Sequence, residues 1–313
     1  MEIRNLRYFL AVAREENMSK AAASLHISQP ALSKAIRSLE EELGKKLFLR
    51  HSFSIELTDE GVLLRDRAED LVLMADKIEK EFLFLDDVTS GDIYFGLAES
   101  YQVRHLAKEI ALFKKRYPGL RYHVSSGDTE QVTEKLDKGL LDFALICETP
   151  DSRKYDYILL PEADSFGVVM KSDCPLAKKK KVQAKDLKGL PLFCSEQSWK
   201  NDIAPWAKEA FADYILEGSF RLSYNGSMFT REGLGYLLTF DHLIDTSEKS
   251  GLVFRPLDPP LVINQYIIFN KYQSFTPIAQ RFLEQIRESF AQNEKLKKDR
   301  PRSSAANGLF KCV

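Results

Sequence analysis

The sequence predicts an α+β chain of several domains: a small helical head with a two-stranded hairpin, one long helix, and a larger α/β region. Three observations support this. Apolar residues recur at helical spacing in short N-terminal segments, one apolar period of three and four residues runs from residue 61 to 85, and strand-like and helical runs alternate from residue 90. With 313 residues, 44% of them hydrophobic, the chain can form two or three compact units with their own cores.

The charge of the chain is nearly balanced overall but uneven along its length. The net charge is -1, yet residues 1–58 carry nine Lys and Arg against seven acidic residues, and residues 59–89 carry four against ten. A modestly basic head followed by an acidic stretch is expected if only the head faces phosphate. No run of about 18 apolar residues occurs and the N-terminus lacks a secretory leader pattern, so we expect a cytoplasmic protein with no membrane partner.

Cysteine and histidine spacing argues against a metal site or an enzyme. The four cysteines lie far apart without a C-x-x-C pair, and they predict buried thiols rather than a zinc site or a disulfide framework. The five histidines show no spacing for a triad or a metal site, and neither a P-loop nor a G-x-S-x-G motif occurs. We therefore expect a protein that is not an enzyme and that holds no metal and no cofactor.

The head begins with predicted helices joined by short turns. Apolar residues at helical spacing form the buried face of the first helix, and Ser19 is the expected N-cap of the second, which extends to Leu25. After a short turn, Ser28 is the expected N-cap of a third helix with Pro30 at its second position.

The third predicted helix has two distinct faces. Leu32, Ile36, Leu39 and Leu43 lie on one side, and Gln29, Ser33, Lys34 and Arg37 lie on another. Two helices joined by a turn of three to four residues, the second with an amide near its start and cations along its exposed face, fit the major groove of DNA. A solvated helix face that binds nothing is the competing interpretation of the same residues.

A predicted hairpin follows the third helix and favours the DNA-binding interpretation. Residues 45–50 and 55–58 alternate in the manner of two strands around a turn that contains His51. Such a hairpin is a candidate wing that lies along the DNA backbone or in the minor groove.

Five pieces of the head, in order and at the family's spacing, resemble the N-terminal signature of the LysR-type transcriptional regulators. They are Ser28-Gln29-Pro30-Ala31-Leu32-Ser33, Leu39-Glu40, Leu43-Gly44, Leu47-Phe48-x-Arg50 and Leu57-Thr58-x-x-Gly61. The resemblance implies a winged helix-turn-helix domain over residues 1–58 that binds double-stranded DNA. It places the DNA-facing positions at Gln29, Pro30, Ser33, Lys34 and Arg37, with Arg50 supporting the wing, and we add the flanking Ser28 and His51 as candidate contacts.

The wing departs from the family pattern in one respect. The family commonly carries further basic residues just before the Leu-Thr pair, whereas Phe53, Ser54 and Glu56 stand there in this chain. We therefore expect wing contacts to phosphate to be weaker or differently placed.

Residues 59–89 predict one long linker helix, with Thr58 as its N-cap and acidic residues in its first turn. Its apolar positions are spaced by three and four residues over more than three heptads, as in a coiled coil. They are Gly61, Leu64, Ala68, Leu71, Ala75, Ile78, Phe82 and Leu85. We expect this helix to pair two chains into a homodimer, with packing of the helix on its own domain as the alternative.

Residues 90–292 predict an α/β unit with a largely parallel sheet. Strands are predicted at 92–97, 121–125, 142–147, 166–170, 190–194 and 266–270, and helices at 105–117, 129–138, 229–238 and 277–290. This region is similar to the effector-binding region of the same family, whose two α/β subdomains resemble periplasmic solute-binding proteins. The resemblance implies subdomain 1 at about 90–162 plus 266–292 and subdomain 2 at about 163–265, and we expect residues 293–313 to form a disordered tail.

A small-molecule effector is expected between the two subdomains. In open α/β sheets, ligands collect beyond the carboxyl ends of strands, where helix N-termini present free N–H groups. Four loops meet this description, and the resemblance puts effector contacts in them. The candidate contacts are Ser100, Tyr101, Asp128, Thr129, Ser195, Trp199 and Asn225. For the hydroxyl-bearing residues, a plain helix cap explains the residue equally well.

The sequence leaves the chemical class of the effector open. Hydroxyls at helix N-termini suit a small carboxylate, which many effectors of the family are. Acidic residues in or near the same loops are Glu99, Asp128, Glu148 and Glu196. If two or more of them face the cleft, they repel a bare anion unless a cation such as Arg104 or Lys200 offsets them, and a neutral polar or amine-bearing ligand then fits better.

The resemblance also implies how such a chain would act. Dimers assemble to a homotetramer that holds DNA in a bend, and effector binding changes the angle between the subdomains. RNA polymerase is left open as a further partner. Two rival functions also stay open: a redox-sensing regulator, as the same family contains, that uses Cys174 and Cys194, and a DNA-architectural protein without a ligand.

Overall fold

A computed structural model of the chain describes residues 1–51, 54–87 and 89–299. The chain divides into two compact units, residues 1–86 and the residues from 87 onwards. Within the described residues, no helix is both long and apolar enough to cross a membrane.

Unit 1 is a helical head with a hairpin, closed by a long helix. In chain order it contains α1 (Ile3–Glu15), α2 (Met18–Ser24), α3 (Gln29–Leu43), β1 (Phe48–Arg50), β2 (Ile55–Leu57) and α4 (Asp59–Leu83). Strands β1 and β2 pair antiparallel, with Phe48 opposite Leu57. One apolar core joins all the helices and the hairpin, and its fully buried members include Leu6, Phe9, Val12, Ala21, Leu32, Ile36, Leu39 and Ala68.

Side-chain caps set the starts of these helices. Asn17, rather than Ser19, caps α2, because its side-chain oxygen accepts two backbone N–H groups of the first turn at 3.0 Å each. The prediction of Ser19 was therefore wrong, although the helix exists. Ser28 and Thr58 cap α3 and α4 as predicted, each through a side-chain oxygen that accepts a first-turn N–H.

Helix α3 buries most of its predicted apolar face. Leu32, Ile36 and Leu39 are 0% exposed, whereas Leu43, on the same side of the helix, is 40% exposed. Leu43 is the last helical residue, and the chain leaves the helix at Gly44, which adopts a left-handed conformation.

Glu40 ties α3 to the start of the hairpin. Its carboxylate is almost fully buried, and it accepts the backbone N–H of Leu47 at 3.0 Å and the ammonium of Lys46 at 2.7 Å. Burial alone would raise the pKa of Glu40, but the hydrogen bonds from Lys46 and Leu47 outweigh burial and hold the pKa below its usual value. The charged carboxylate therefore fixes the hairpin relative to α3.

Helix α4 uses the first part of the predicted coiled-coil seam for its own head. Gly61 and Ala68 are buried in the core of unit 1, whereas Leu71, Ile78 and Phe82 are 42%, 45% and 72% exposed. A Cβ at Gly61 would lie 2.2 Å from the carbonyl oxygen of Leu47, so only glycine permits this approach of α4 to the hairpin. The seam assignment thus fails for Gly61 and Ala68.

The end of the linker helix also differs from the prediction. Helix α4 stops at Leu83, so Leu85, the last residue of the predicted seam, lies beyond the helix.

Unit 2 contains the remaining elements. In chain order they are β3 (Ser90–Leu97), α5 (Val103–Arg116), β4 (Gly119–Ser126), α6 (Thr129–Asp137), β5 (Phe143–Ile146), β6 (Tyr155–Leu159), β7 (Asp164–Lys171), β8 (Val182–Gln183), β9 (Pro191–Cys194), α7 (Glu196–Ser198), α8 (Ala204–Ala207), β10 (Ile215–Ser219), α9 (Ser223–Arg231), β11 (Tyr236–Phe240), β12 (Leu252–Asp258), β13 (Val262–Ile263), β14 (Tyr266–Asn270) and α10 (Pro277–Asp299). A π-helical turn, Trp199–Ile203, joins α7 to α8, and 3₁₀ turns occupy Pro175–Lys178, Ala184–Leu187, Lys208–Asp213 and Glu248–Ser250.

Two sheets organise unit 2. The first has the strand order β4-β3-β5-β14-β6, and helices α5 and α10 pack on one face while α6 packs on the other. The second has the order β10-β9-β11-β7-β12-β8, with β13 also paired to β7. The chain crosses from the first sheet to the second between β6 and β7 and returns between β13 and β14. We call the two sheets with their helices lobe 1 and lobe 2.

Several sequence expectations about unit 2 need correction. Both sheets are mixed rather than largely parallel: β14 runs antiparallel to β5 and β6, and β7 runs antiparallel to β11 and β12. The helix predicted at 229–238 lies earlier, as α9, and the apolar run Tyr236–Phe240 is a buried strand. Asn225 is therefore inside α9 rather than in a loop before it. Helix α10 continues to Asp299, within the tail expected to be disordered, and residues 300–313 lie outside the described residues.

Removing the Glu40 carboxylate should loosen the head. Glu40→Ala leaves the Leu47 N–H without its partner, and we expect a loss of about 1 to 3 kcal/mol in the free energy of unfolding of unit 1. Because the folded pKa of Glu40 is lowered, its contribution is present above its usual value of 4.5 and disappears as the pH falls through the lowered value. Hydrogen–deuterium exchange of amides in residues 36–50 measures the change. Exchange no faster than in the exposed neighbour variant Glu41→Ala would contradict it.

Candidate functional site

The first candidate surface is the exposed side of α2 and α3. Among the described side chains of residues 1–58, Lys20, Lys34 and Arg37 are the cations without an ion-pair partner. The other described cations of the head pair with carboxylates, as Lys46 does with Glu40 at 2.7 Å. Unpaired cations thus gather on the helix-turn-helix, where they are available to an anionic partner such as the DNA backbone.

The residues predicted to contact DNA occupy this surface. Ser28, Gln29, Pro30, Lys34 and Arg37 are exposed on or beside α3. Ser33 is half-buried, and the Ser28 hydroxyl oxygen accepts the backbone N–H of Ala31, so its acceptor capacity is partly used as a cap. Lys20 on α2 was not predicted. The sequence feature that could have identified Lys20 is its position in the first turn of α2, the helix that precedes α3.

The wing carries little free positive charge in the part that the structure describes. The His51 ring lies 3.6 Å from the Glu56 carboxylate, and its backbone N–H donates to Ser54. The side chain of Arg50 and residues 52 and 53 lie outside the described part, so the predictions on Arg50 and Phe53 remain untested there.

The second candidate site is a cleft of about 560 Å³ between lobe 1 and lobe 2. It opens where strands end: β4 leads into Asp128 and Thr129, β9 leads into Ser195, and β10 leads into Phe220 and Arg221. Its volume falls within the range of small-molecule sites. A narrow apolar extension reaches inward, bordered by Phe166, Phe220, Leu237, Leu238, Phe240 and Leu243.

Polar side chains bridge the two lobes across this cleft. The Gln197 carboxamide makes two bonds to Thr129: its Oε1 accepts the Thr129 backbone N–H at 3.2 Å, and its Nε2 donates to the Thr129 hydroxyl at 3.1 Å. The Asn201 amide donates to the Glu148 carboxylate at 2.8 Å. These contacts join the two lobes across the cleft.

Two acidic residues of the cleft satisfy helix starts. The Asp128 carboxylate accepts the Gln131 backbone N–H at 2.9 Å and so caps α6. The Glu99 carboxylate accepts the Ser223 backbone N–H at 2.6 Å, at the first residue of α9. Glu99 belongs to lobe 1 and Ser223 to lobe 2, so this bond also joins the lobes.

The structure brings three of the predicted effector contacts together. Asp128, Thr129 and Ser195 line the cleft, and Ser195 also caps α7 by accepting the Ser198 N–H at 3.1 Å. Asp128 and Ser195 are therefore both helix caps and residues of the cleft lining.

Ser100 is not at the cleft lining. Its hydroxyl is buried and donates to the Asp164 carboxylate at 2.5 Å, while the Gln102 side-chain amide donates to the same carboxylate at 2.8 Å. Asp164 begins β7, at the crossover between the lobes, and burial raises its pKa above the usual value. Ser100 therefore joins lobe 1 to the crossover rather than facing a ligand.

Tyr101, Trp199 and Asn225 also lie away from the cleft lining. The Tyr101 ring packs against the His242 ring and under the Arg104 guanidinium. The Trp199 ring packs on Phe211 in lobe 2, and Asn225 is exposed on α9.

Arg104, considered in the sequence as a cation that offsets acidic charge, pairs instead with Glu162. It therefore does not offset the acidic residues that line the cleft.

Neither the cysteines nor acidic clusters suggest a reactive centre. Cys194 is fully buried, and burial raises the pKa of its thiol, which opposes thiolate formation. This removes the support for the redox alternative that paired it with Cys174. Among the described residues, no three His, Cys, Asp or Glu side chains are placed to hold a metal ion.

The sequence missed several residues of the cleft. Gln197, Asn201 and Arg221 line it together with the acidic residues noted above. Gln197 lies in one of the loops that the sequence analysis selected. Its partner Thr129 is 68 residues away, and no local sequence pattern predicts such a pairing. Arg221 lies two residues after the end of β10, a strand that the sequence did not predict.

A helix-turn-helix with unpaired cations and a two-lobed unit with a polar cleft define a DNA-binding protein with a ligand-binding domain. Residues 3–62 match the family described as "Bacterial regulatory helix-turn-helix protein, lysR family", and residues 86–291 match "LysR substrate binding domain".

Known proteins with similar sequence or structure agree with these matches. HcaR, the Hca operon transcriptional activator of Escherichia coli (strain K12), is 31% identical over 268 residues, which are 82% of this chain and 87% of HcaR. The crystal structure of CbnR, a LysR family transcriptional regulator, superposes with a TM-score of 0.74 at 20% identity, over 93% of this chain and 99% of CbnR. Full-length CbnR in complex with its target DNA gives 0.73, also at 20% identity, over 92% of this chain and 100% of that chain.

The chain belongs to the LysR family of bacterial transcriptional regulators. It is a DNA-binding transcriptional regulator with a helix-turn-helix domain and an effector-binding domain.

Asp164 should make the stability of unit 2 depend on pH. Because its folded pKa is raised, its contribution to stability is largest below its usual value of 3.8 and is lost as the pH rises through the raised value. Asp164→Asn removes this titration, so the wild type should lose stability relative to the variant as the pH rises above 3.8 and through the raised pKa. Urea unfolding followed by fluorescence of the two tryptophans, both in lobe 2, measures the difference. A difference that is constant with pH, as expected for the exposed control Asp173→Asn, would rule the effect out.

Proposed function

We propose that this regulator reads its operator with the N-terminal half of α3 and responds to a small molecule held in the cleft between the lobes. The observation that carries the DNA-binding half is the grouping of the unpaired cations Lys20, Lys34 and Arg37 on the helix-turn-helix. Cations that are already paired gain less from phosphate, because a bound DNA strand must first compete with their carboxylates.

Gln29 is the residue proposed to read sequence. It is exposed at the first position of α3, and an amide can pair with an adenine edge through one donor and one acceptor. Lys34 and Arg37 lie further along the same helix and contact phosphate, which positions the helix without reading bases.

The cleft is the proposed switch. Bonds such as Gln197 to Thr129 and Asn201 to Glu148 favour one angle between the lobes, and an effector that exchanges them favours another. Shifting such an equilibrium from nearly all off to nearly all on requires about 5.5 kcal/mol of differential affinity. Several cleft contacts in each of several chains provide this free energy more readily than a single contact does.

Paired chains complete the proposal. Leu71, Ile78 and Phe82 form an exposed apolar stripe along one side of α4, which we call the α4 stripe. A second copy of this helix covers the stripe in a homodimer, and two dimers form a homotetramer, so that several heads bind DNA at once. We place the protein in the cytoplasm, acting without a resident metal or cofactor and without a catalytic step, and we keep RNA polymerase as a further partner.

The experiment that tests the proposed function is recovery of genomic DNA fragments by the purified protein at about 0.15 M salt, where non-specific attachment is largely screened. We expect enrichment of a few sites with half-site symmetry. Uniform, salt-labile recovery of all fragments would favour the architectural alternative over a sequence-specific regulator.

Substitutions on α3 should separate base reading from phosphate contact. Gln29→Ala should cost about 1 to 3 kcal/mol on the recovered site and much less on random DNA, whereas Lys34→Ala should weaken both about equally. Fluorescence anisotropy with the recovered site and a shuffled duplex measures both. Arg14→Ala, which removes a cation that is paired with Glu15, is the matched control and should change neither. Equal losses on both duplexes for Gln29→Ala would exclude a base-reading role.

Charge in the α4 stripe should break the dimer. Leu71→Asp places an unpaired carboxylate in the covered interface, so we expect mostly monomer in sedimentation velocity at micromolar concentration. Leu73→Asp is the matched control: Leu73 is 57% exposed but lies two residues on, about 200° around the helix, and should leave the dimer intact. An unchanged assembly in Leu71→Asp would remove α4 as the pairing element.

A further inference from the structure

The start of helix α6 is occupied by a side chain from the opposite lobe. Thr129 is the first residue of α6, and its backbone N–H is one of the groups that a helix cannot satisfy internally. The Gln197 carboxamide fills this place with both of its polar ends, accepting from the Thr129 N–H and donating to the Thr129 hydroxyl. An uncharged amide thus sits where an anion is often bound at a helix start.

The charge around this place explains why a neutral group fits. Glu99, Asp128, Glu130, Glu148 and Glu196 border the cleft and its inward extension, against the cations Lys200 and Arg221. Arg221 lies 3.6 Å from the Asp128 carboxylate and is partly neutralised by it. A carboxylate placed beside Thr129 would therefore meet more negative than positive charge, although the helix N-terminus itself attracts it.

A neighbouring acidic residue, Asp202, also lies close to the negative charge of the cleft. Asp202 lies next to the cleft on the turn that follows α7. Burial raises its pKa, a hydrogen bond with Ser198 opposes this shift, and the negative charge of Glu148 adds to it. Glu148 thus places negative charge near a partly buried carboxyl group at this end of the cleft.

The apolar lining of the inward extension indicates that the rest of the ligand is apolar. Its walls include Phe166, Phe220, Leu237, Leu238 and Phe240, and it holds about 70 Å³ in the arrangement described. An apolar ring or chain attached to the head group would enter here as the lobes move apart, and burial of its surface would contribute to binding.

We propose that the effector carries an uncharged carboxamide-like head group on an apolar body, and that this head group displaces Gln197 from Thr129. The inference rests on the proposed effector cleft and specifies its ligand. In the absence of a ligand, Gln197 satisfies the start of α6. It therefore competes with the ligand for the same two hydrogen bonds to Thr129.

The test compares three probes that share one ring and differ in head-group charge: benzamide, benzamidinium and benzoate. Binding to the full chain is measured by ligand-observed NMR titration, which suits millimolar affinities. We expect benzamide to bind at least about tenfold more tightly than benzoate, which meets the acidic residues of the cleft, and than benzamidinium, which has no acceptor for the Thr129 N–H. Benzoate or benzamidinium binding as tightly as benzamide, or no binding by any of the three, overturns the proposal.

A variant of Gln197 tests whether its amide competes with the ligand. Gln197→Ala removes the competing amide and should tighten benzamide binding at least about threefold, while Gln280→Ala, which alters an exposed glutamine on α10, should not. Unchanged or weaker binding by Gln197→Ala overturns the displacement.

Variants of the acidic cleft residues test the effect of charge on binding. Glu130→Gln combined with Glu196→Gln should tighten benzoate and weaken benzamidinium binding, whereas Glu134→Gln, one helical turn beyond Glu130 and outside the cleft lining, should change neither. No change in the double variant overturns the role assigned to charge.

Genomic DNA recovery by the same preparation keeps this test distinct from that of the proposed function. Specific DNA binding together with the wrong probe order overturns only the head-group inference.

Discussion

Backbone N–H groups at the start of a helix have no partner within the helix, and much of the functional organisation of this chain follows from how three such starts are satisfied. The Ser28 side chain caps α3 at the exposed surface where Gln29 and Lys34 lie. In the cleft, Asp128 and Gln197 satisfy α6, and Glu99 satisfies α9 from the other lobe. One start therefore lies on the exposed helix-turn-helix surface, and the other two are closed by side chains of the protein itself.

The sequence predicted the head better than the unit behind it, for a physical reason. Capping and helix spacing are local, so Ser28, Thr58 and the buried face of α3 could be assigned from neighbouring residues alone. Where two capping residues stood close together, as at Asn17 and Ser19, only the actual backbone geometry chose between them. In lobe 2 the first residues of the strand Tyr236–Phe240 were included in a helix predicted at 229–238, because a short run that is buried on both faces has no period that distinguishes a strand from a helix.

The candidate cleft shows the same limit. The rule that ligands gather beyond strand ends was enough to select Asp128, Thr129 and Ser195. It could not show that the Ser100 hydroxyl is held by Asp164, a residue 64 positions later, or that Gln197 reaches across to Thr129. Those pairings depend on how the lobes meet, which no segment of the sequence encodes by itself.

The contact at Gly61 bears on how such chains can be recombined. The first turns of α4 pack against the carbonyl of Leu47 and share the core of the head through Ala68, so α3 and α4 are parts of one packed unit. A displacement of α3 relative to α4 would disrupt this core. A chimaera that joins this head to another sensing unit should therefore keep all of α4 and place its junction after the helix, near Asp86, because a cut at Thr58 would leave the head's own core open.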